Sequence, residues 1–453
     1  MKNRHFLAQL AMILVILAVI YIPIFADEII VTTCDFESLQ SAVEQANVAG
    51  GIITFDCEGT ILFTDSLMLS NTITIDGGGV ITFNGGLTSV DYLVEVNIYG
   101  ITFENGNGIH NLGTLTIIDS TFKNNLGRAI RNYKELTIDN TIFDHNNLDM
   151  AHEAGGAIYN LAGRIKINDS QFTYNSVTEI GGAIFTEDSS EFIEINDSTF
   201  SNNSATGSGG AIWSGGRLHI TGSSFVENVS ERGGGGAIFN GNEMIVLGST
   251  FTNNTAGSGG AISNTAYLTS FRTDFIGNSA FYGGAIDHTL GWVFVGEGLF
   301  ADNQAKGDGG AIFNDGNSLL VYFMQFENNS AQNGGAIFNH NYLSPSLTTV
   351  TLSTFTENSA LDNGSAIFNN TDGIVTITNS RFERNEIMNP TNRMSNSYYA
   401  RETNGVIYSL GIINLVESSF LDNIPAPCLV RTDQLGNPIR QESNCEGRSS
   451  EGR

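Results

Sequence analysis

The chain has few basic residues: 20 Lys and Arg stand against 47 Asp and Glu, which gives a formal net charge of −27 over 453 residues. A surface with this charge repels nucleic acid and anionic membranes, so we expect neither as a partner. The acidic balance favours cations or basic partners, and its plainer interpretation is that charge keeps an exported protein soluble.

Long apolar runs are missing except at the N-terminus. Lys2, Arg4 and His5 precede an apolar stretch from Phe6 to Phe25, and the small residue Ala26 offers a cleavage point. This pattern predicts a signal peptide over residues 1–26. The run is also about long enough to span a bilayer, so an uncleaved anchor stays open as the alternative. Either way, we expect the rest of the chain to be exported, outside the cytoplasm or at the cell surface.

Cysteine is rare and confined to the two ends, at Cys34, Cys57, Cys428 and Cys445. Three pairings are possible, but an elongated fold would hold the ends apart and favour Cys34–Cys57 and Cys428–Cys445. Disulfides suit an exported protein. No Cys-x-x-Cys pair or neighbouring histidine cluster indicates a metal, and we expect none.

What the chain does have is a repeat. Gly-Gly-Ala-Ile stands at residues 155, 181, 209, 235, 259, 283, 309 and 334 and becomes Gly-Ser-Ala-Ile at 364. Phe-x-x-Asn begins at residues 172, 200, 225, 251, 275, 300, 326, 355, 382 and 420. Copies about 24 to 30 residues apart are typical of a solenoid.

Each repeat contains three short strand patterns: Ala-Ile-aromatic, a Leu-x-Ile type such as Leu218-His219-Ile220, and one that carries the repeated Phe. Helical solenoids need longer apolar periods with good helix formers, whereas this chain is rich in Gly, Asn, Thr and Ser. We therefore predict an all-β fold, a single-stranded right-handed parallel β-helix of roughly 15 coils. The predicted parts are a cap over residues 27–58 with a helix from Phe36 to Asn47, the β-helix over 59–423, and a C-terminal cap or tail over 424–453.

Alternation along the strands predicts where each column of the repeat points. The Ile column from Ile158 to Ile367 should face the core. Two asparagine columns should line turns, where stacked amides bond to one another. They include Asn160 and Asn240 in one column and Asn175 and Asn203 in the other.

The aromatic column has the opposite parity, and it accepts Ser263 and Asp287, which a dry core would exclude. It therefore predicts an outward stripe, either a binding face or a covered satellite core. Its members are Tyr159, Phe185, Trp213, Phe239, Phe313, Phe338 and Phe368. A second candidate is the insertion from Ile387 to Asn404, with Tyr398, Tyr399 and Arg401, since long loops on rigid scaffolds often bind. A mobile surface loop is the alternative.

Gly-Gly-Ala-Ile with Phe-x-x-Asn resembles the repeat of the chlamydial polymorphic outer membrane proteins. The segment Cys34 to Val43, followed by Ile53-Thr54-Phe55 and Ile75 to Gly79, is similar to the start of secreted β-helix proteins with a "CSLREA"-type cap. The resemblance implies a pectate-lyase-like β-helix displayed at the surface or outer membrane, with adhesion or envelope roles. We expect no membrane β-barrel like that of the chlamydial proteins in this sequence, because no repeated alternating strands follow Asn423.

Catalysis has to be argued from a site, because the same fold carries many functions. Hydrolases need paired carboxylates, and pectate lyases need clustered carboxylates for calcium plus a basic residue. Basic residues inside the repeats are scattered, and Asp287-His288 is the most enzyme-like pair. His288, however, stands in an asparagine column, where a turn role is expected.

The sequence therefore predicts a non-enzymatic, exported β-helix for adhesion or recognition of a surface glycan or protein, without catalytic residues or cofactor. The alternative is a calcium-assisted polysaccharide lyase or a glycoside hydrolase. The oligomeric state is left open.

Overall fold

The protein is a parallel β-solenoid, seen in a computed structural model that describes residues 28–148, 154–188, 192–316, 318–340, 346–388 and 405–423, with the strands Arg431–Thr432 and Pro438–Ile439. The predicted signal segment, Cys428 and Cys445 lie outside the described residues. All strand pairs are parallel except the pair Arg431–Thr432 with Pro438–Ile439. The predicted all-β parallel helix is confirmed.

One sheet collects the Ala-Ile-aromatic strands, one from each coil, and we call it the isoleucine sheet. Its fourteen strands make about 13 turns, close to the roughly 15 expected. The strands are Leu67–Leu69, Thr88–Val90, Ile109–Asn111, Ile130–Asn132, Ile158–Asn160, Ile184–Thr186, Ile212–Ser214, Ile238–Asn240, Ile262–Asn264, Ile286–His288, Ile312–Asn314, Ile337–Asn339, Ile367–Asn369 and Ile407–Ser409.

The second sheet has 29 strands in two side-by-side ladders, which are continuous through the long strands Ile73–Asn84 and Glu95–Glu104. The first ladder, the Leu-x-Ile ladder, also contains Glu28–Val31, Gly51–Phe55, Thr114–Ile118, Glu135–Asp139, Arg164–Asn168, Ile193–Asn196, Leu218–Thr221, Glu243–Leu247, Tyr267–Phe271, Trp292–Gly296, Ser318–Tyr322, Leu347–Thr351, Ile374–Thr378 and Ile412–Val416.

The second ladder, the phenylalanine ladder, contains Gly59–Leu62, Thr121–Lys123, Ile142–Asp144, Gln171–Thr173, Thr199–Ser201, Ser224–Val226, Thr250–Thr252, Asp274–Ile276, Leu299–Ala301, Gln325–Glu327, Thr354–Thr356, Arg381–Glu383 and Ser419–Leu421. Short strands after the Asn corner form two small sheets: Asn147–Leu148, Ser176–Val177, Ser204–Ala205 and Val229–Ser230, then Ser279–Ala280, Gln304–Ala305, Ser330–Asn333, Ser359–Asn363 and Glu386–Ile387.

The helix Phe36–Ala49 covers the first coil, as predicted. Asp35 caps it by accepting a 2.8 Å hydrogen bond from the Ser38 backbone N–H. Its apolar side faces the coil, and the Phe36 ring lies 5.0 Å from Phe63. Cys34 and Cys57 form the predicted disulfide beside it, with Cα atoms 5.7 Å apart. The helix closes an end that would otherwise expose core residues and open strands.

Stacked phenylalanines and isoleucines fill the inside of the solenoid. Every isoleucine of the predicted Ile column from Ile158 to Ile367 is buried. The repeated phenylalanines form a face-to-face column, with ring centroids 4.6 Å apart for Phe143 and Phe172 and 5.0 Å apart for Phe251 and Phe275. Because the strands pair in register, each ring meets the same ring of the next coil.

The asparagines of Phe-x-x-Asn form a continuous hydrogen-bonded column, as predicted. Asn278 shows the unit: its side-chain Nδ2 donates to Asn303 Oδ1 at 3.0 Å and to the Phe251 carbonyl at 2.9 Å. Its own Oδ1 accepts from the Asn254 backbone N–H and from Asn254 Nδ2, both at 3.0 Å. The same pattern runs from Asn125 to Asn423. The amides thus satisfy the polar groups of a corner that water cannot reach.

Glycine is needed in the turn before most of the Ala-Ile strands. Gly155 has φ +68°, which a side chain rarely tolerates, and a Cβ at Gly156 would lie 2.4 Å from the Gly182 carbonyl oxygen of the next coil. Successive turns therefore stack backbone against backbone, which explains why the Gly-Gly pair recurs.

Replacing Asn278 by Ala should lower the free energy of unfolding by about 3 kcal/mol, because it leaves buried donors and a carbonyl of neighbouring coils without partners. Asn278→Asp should cost more, since a carboxylate cannot donate to the Phe251 carbonyl and would bring a charge into the buried corner. Equilibrium denaturation at pH 7 measures both. The control is Gln171→Ala, an exposed amide on a strand, which should change stability little. An Asn278→Asp variant as stable as the wild type would contradict the role of the column.

Candidate recognition surfaces

The aromatic column lies on the outer side of the isoleucine sheet, as alternation predicted. Phe185 and Trp213 stack with ring centroids 4.9 Å apart, and Trp213 and Phe239 are 5.7 Å apart. A second run begins at Phe313, whose ring lies 5.4 Å from that of Phe338. The column thus forms two runs of stacked rings, from Tyr159 to Phe239 and from Phe313 to Tyr408.

Most of this stripe is covered. Phe185, Phe338 and Phe368 are 7%, 5% and 8% exposed, and the other rings of the column are half-buried. The glycine turns pack on them, since a Cβ at Gly155 would lie 3.1 Å from Phe185 Cβ. The column is separate from the main core, so it packs as a satellite layer of the fold. A binding role for it stays a prediction, and Tyr398, Tyr399 and Arg401 lie outside the described residues.

Ser263 and Asp287 separate the two runs of rings. Asp287 is 7% exposed, and burial raises the pKa of its carboxyl to about 6; a hydrogen bond with the Ser258 side chain opposes the shift and the Asp315 charge adds to it. Asp315 Oδ1 lies at hydrogen-bond distance, 2.9 Å, from His340 Nδ1. Burial also raises the pKa of Asp308, although Asn333 Nδ2 donates a 2.8 Å hydrogen bond to its carboxylate. Carboxyls with shifted pKa values are candidate acids or bases, but Asp287 is closed to a polymeric substrate here.

His288 is not a partner of Asp287 in a catalytic dyad. The two residues are adjacent in one strand, so their side chains point to opposite sides. Asn264 Nδ2 donates to His288 Nδ1 at 3.0 Å, which puts the proton of the neutral ring on Nε2. Nε2 and the Asn314 Oδ1 of the next coil both lack a hydrogen-bond partner. His288 thus interrupts the asparagine column, and burial lowers its pKa to about 4.

Metal ligation has no candidate within the described residues: no three or more His, Cys, Asp or Glu side chains come together there. No helix in the described part of the chain combines the length and the apolar character needed to cross a bilayer.

The structure shows a more exposed surface that the sequence analysis missed. It lies on the outer side of the Leu-x-Ile ladder, across the strands from Glu243–Leu247 to Leu347–Thr351, and at the corner residues that follow two of them. We call it the apolar face. Its exposed members are Leu247, Tyr267, Trp292, Leu320, Tyr322, Phe323, Leu347 and Leu352, and Ile245, Phe271 and Phe294 lie half-buried among them.

In-register pairing places these side chains side by side. Tyr267 and Trp292 have ring centroids 5.7 Å apart. The rings of Phe271 and Phe294 lie over Gly296, where a Cβ would be 2.9 Å from Phe294 Cζ. In the preceding coils the same outward positions are mostly polar, with Ile118 and Phe192 as apolar exceptions: they hold Glu135, Thr137, Asp139, Arg164, Lys166, Asn168, Glu194, Asn196, His219 and Thr221. The change from polar to apolar residues at the outward strand positions is the sequence signal of this face, and it lies outside the Gly-Gly-Ala-Ile motif.

Two members of the apolar face hold unfavourable backbone conformations. Phe323 and Leu352 have φ values of 52° and 54° at the corner between the two ladders. The backbone has positive φ at this corner in the other coils as well, where the residue is in most cases one that tolerates it, such as Asp169, Gly222 or Asn379, and in three cases Arg272, Glu297 or Glu417. Phe323 and Leu352 therefore cost conformational energy that burial in the core does not offset.

Comparison with known proteins identifies the repeat. Residues 169–187, 197–215, 248–265, 297–315 and 324–340 match the repeat model of the Chlamydia polymorphic membrane protein. The chain is thus a parallel β-solenoid with repeats of this type. No curated protein matches it.

Among solved structures, it is similar to the catalytic unit of thermostable GH87 alpha-1,3-glucanase from Streptomyces thermodiastaticus strain HF3-3, with a TM-score of 0.39 and 11% identity over 84% of this chain. The chain spans 65% of that structure, and this likeness carries no argument about activity.

The two tryptophans should separate the two surfaces. Trp213→Ala should lower the free energy of unfolding by about 2 kcal/mol, because the ring is stacked between Phe185 and Phe239 and half-buried. Trp292→Ala should change it by less than about 1 kcal/mol, because that ring is 45% exposed. Denaturant titration of both variants measures the difference. Equal stability losses would show that the apolar face is part of the packed fold.

Asp287 and His288 should have opposite effects on stability as the pH changes. Asp287 has a raised pKa in the fold, so its contribution is full below 3.8 and is lost as pH rises through about 6. His288 has a lowered pKa, so its contribution is full above 6.5 and is lost as pH falls through about 4. Each shift corresponds to on the order of 3 kcal/mol, and the two nearly cancel.

Asp287→Asn should therefore lose stability as pH falls from 6.5 to 4, whereas His288→Asn should gain it from 6 to 4. Denaturation midpoints at four pH values measure both slopes. The charge of Asp315 acts on both groups and is present in both variants, so it does not account for a difference between them. His288→Asn should also raise stability at pH 7, since an amide can rejoin the column. Parallel pH profiles of the two variants would disprove the assignment.

Proposed function

We propose that the chain is an exported, surface-associated β-helix that acts by recognition of a macromolecule. The observation that carries the proposal is the apolar face, where exposed aromatic and aliphatic side chains gather on adjacent strands of a rigid ladder. Exposed apolar patches of this kind mark contact surfaces. The polymorphic membrane protein repeats support a place at the cell surface, and the Cys34–Cys57 disulfide supports an oxidising compartment.

A glycoside hydrolase is the second candidate, because Asp287 has a raised pKa and another carboxyl, Asp315, close enough to affect it. Such a pair has the acid–base character that glycoside hydrolysis requires. Its weakness is access: Asp287 is almost completely buried beneath the turns, so no sugar can reach it in this conformation. The apolar face needs no rearrangement to make contact, and recognition is therefore the function that the geometry favours.

The full chain should bind without cleaving when it is incubated with a panel of acidic and neutral polysaccharides, with and without calcium. The measurements are new reducing ends and unsaturated sugars. The matched variant is Asp287→Asn, which should behave like the wild type. Calcium-dependent release of unsaturated sugars would overturn recognition in favour of a lyase, and release abolished by Asp287→Asn would establish a hydrolase. Membrane-impermeant labelling of intact producing cells should reach the chain, and protection from the label would contradict surface display.

A further inference from the structure

We propose that the apolar face binds a protein whose own apolar surface is edged by lysine and arginine residues. The inference rests on the recognition function proposed above and names the class of partner. Its elements are the area of the face, the strained residues within it and the charges around it.

The area of the face fits a protein partner. A large apolar side chain presents roughly 200 Å² when fully exposed. The eight exposed members are between 39% and 57% exposed, so on the order of 700 Å² of apolar surface is open. This exceeds the largest patch of a typical monomer, about 300–600 Å². It approaches the roughly 800 Å² that each partner contributes to a stable protein complex.

Two exposed apolar side chains, Phe323 and Leu352, stand at a corner where asparagine, aspartate or glycine would suit the backbone better. Phe323 is 57% exposed and Leu352 is 42% exposed, so neither gains the burial that would offset its positive φ. The Phe323 ring lies beside Tyr322, with centroids 6.4 Å apart, and extends the face past the end of the strand. An exposed aromatic ring at the edge of an apolar patch is suited to contact with a partner.

The charges at the margin determine the partner's chemistry. The only basic side chain on the two strands Tyr267–Phe271 and Trp292–Gly296 and their corners is Arg272, which bonds to Glu297 at 2.9 Å and lies over the Phe271 ring. Over the wider margin the acidic side chains Glu243, Asp274, Glu297 and Glu327 outnumber the basic ones, which are Arg272 and the Arg217 that stands beside Glu243 in the preceding coil. A basic rim on the partner complements them.

A second copy of this chain fits poorly. Two copies meeting through this face would bring acidic margin against acidic margin, and each carries a formal net charge of −27. Charge of this size opposes self-association. The partner is therefore a different protein, and its attraction should weaken as salt screens the margin.

The two tryptophans of the chain allow a direct test. In the full chain with Trp213→Phe, Trp292 is the only tryptophan and its emission reports on the apolar face. The probes are three synthetic amphipathic peptides of equal length, with leucine and lysine, leucine and glutamate, or serine and lysine on their two sides. The leucine–lysine peptide should shift the Trp292 emission and protect it from acrylamide, with an affinity that falls as salt rises. The other two peptides should leave it unchanged.

Variants of the face supply the second readout. Leu320→Ser and Phe323→Asn, each in the Trp213→Phe background, should lower the affinity for the leucine–lysine peptide by about tenfold. Phe323→Asn should at the same time keep or raise the denaturation midpoint, because asparagine tolerates positive φ. Misfolding therefore cannot explain its loss of binding. The control is Lys166→Ser with Glu194→Ser, on the polar coils of the same ladder, which should bind like the parent.

Three outcomes would overturn the partner class. Equal binding of the leucine–glutamate peptide would remove the charge argument. Concentration-dependent dimerisation abolished by Leu320→Ser would make a second copy the occupant. A shift of Trp292 emission by a polysaccharide, with no response to the leucine–lysine peptide, would make the ligand a glycan and leave the recognition function intact. Polysaccharide cleavage, by contrast, would contradict the proposed recognition function itself.

Discussion

The in-register stacking of identical side chains between coils is the constraint on which the rest of this structure depends. Parallel strands repeat the same residue at the same place, so each asparagine amide finds the next one at hydrogen-bond distance, as Asn254 finds Asn278. The phenylalanine rings stack by the same geometry. A coil that lost register would lose both at once. This requirement keeps the Ile column and the Phe and Asn of Phe-x-x-Asn uniform, while the outward positions vary.

That freedom explains where function can arise. Outward positions on the ladders contribute little to the core, so the chain can place lysine and glutamate on one stretch and tryptophan and tyrosine on another. The apolar face results from such variation over adjacent coils. It even extends to the corner, where Phe323 and Leu352 occupy positions better suited to asparagine or glycine. A regular scaffold therefore carries an irregular surface, and the surface gives the molecule its specificity.

Residues that depart from the repeat inside the solenoid, unlike those on its surface, affect packing and stability and not recognition. His288 replaces an asparagine, leaves Asn314 Oδ1 without a donor and sits next to a buried carboxyl at Asp287. Both residues are buried, and both are kept neutral at intermediate pH by the cost of desolvation. Because adjacent residues of a strand face opposite sides, they do not cooperate in chemistry. Their proximity in sequence had made them the most enzyme-like pair, and strand geometry separates them.

The sequence by itself determined the architecture: the parallel coils, the capping helix, the Cys34–Cys57 disulfide and the inward Ile and Asn columns follow from a period and a parity that a single chain displays. It also determined that the aromatic column points away from the core. Only the tertiary structure decided that glycine turns cover this column while the face around Trp292 stays open. The reason is physical, since the exposure of a side chain depends on what neighbouring coils place over it. Periodicity gives the direction of a residue, whereas packing alone gives its access to a partner.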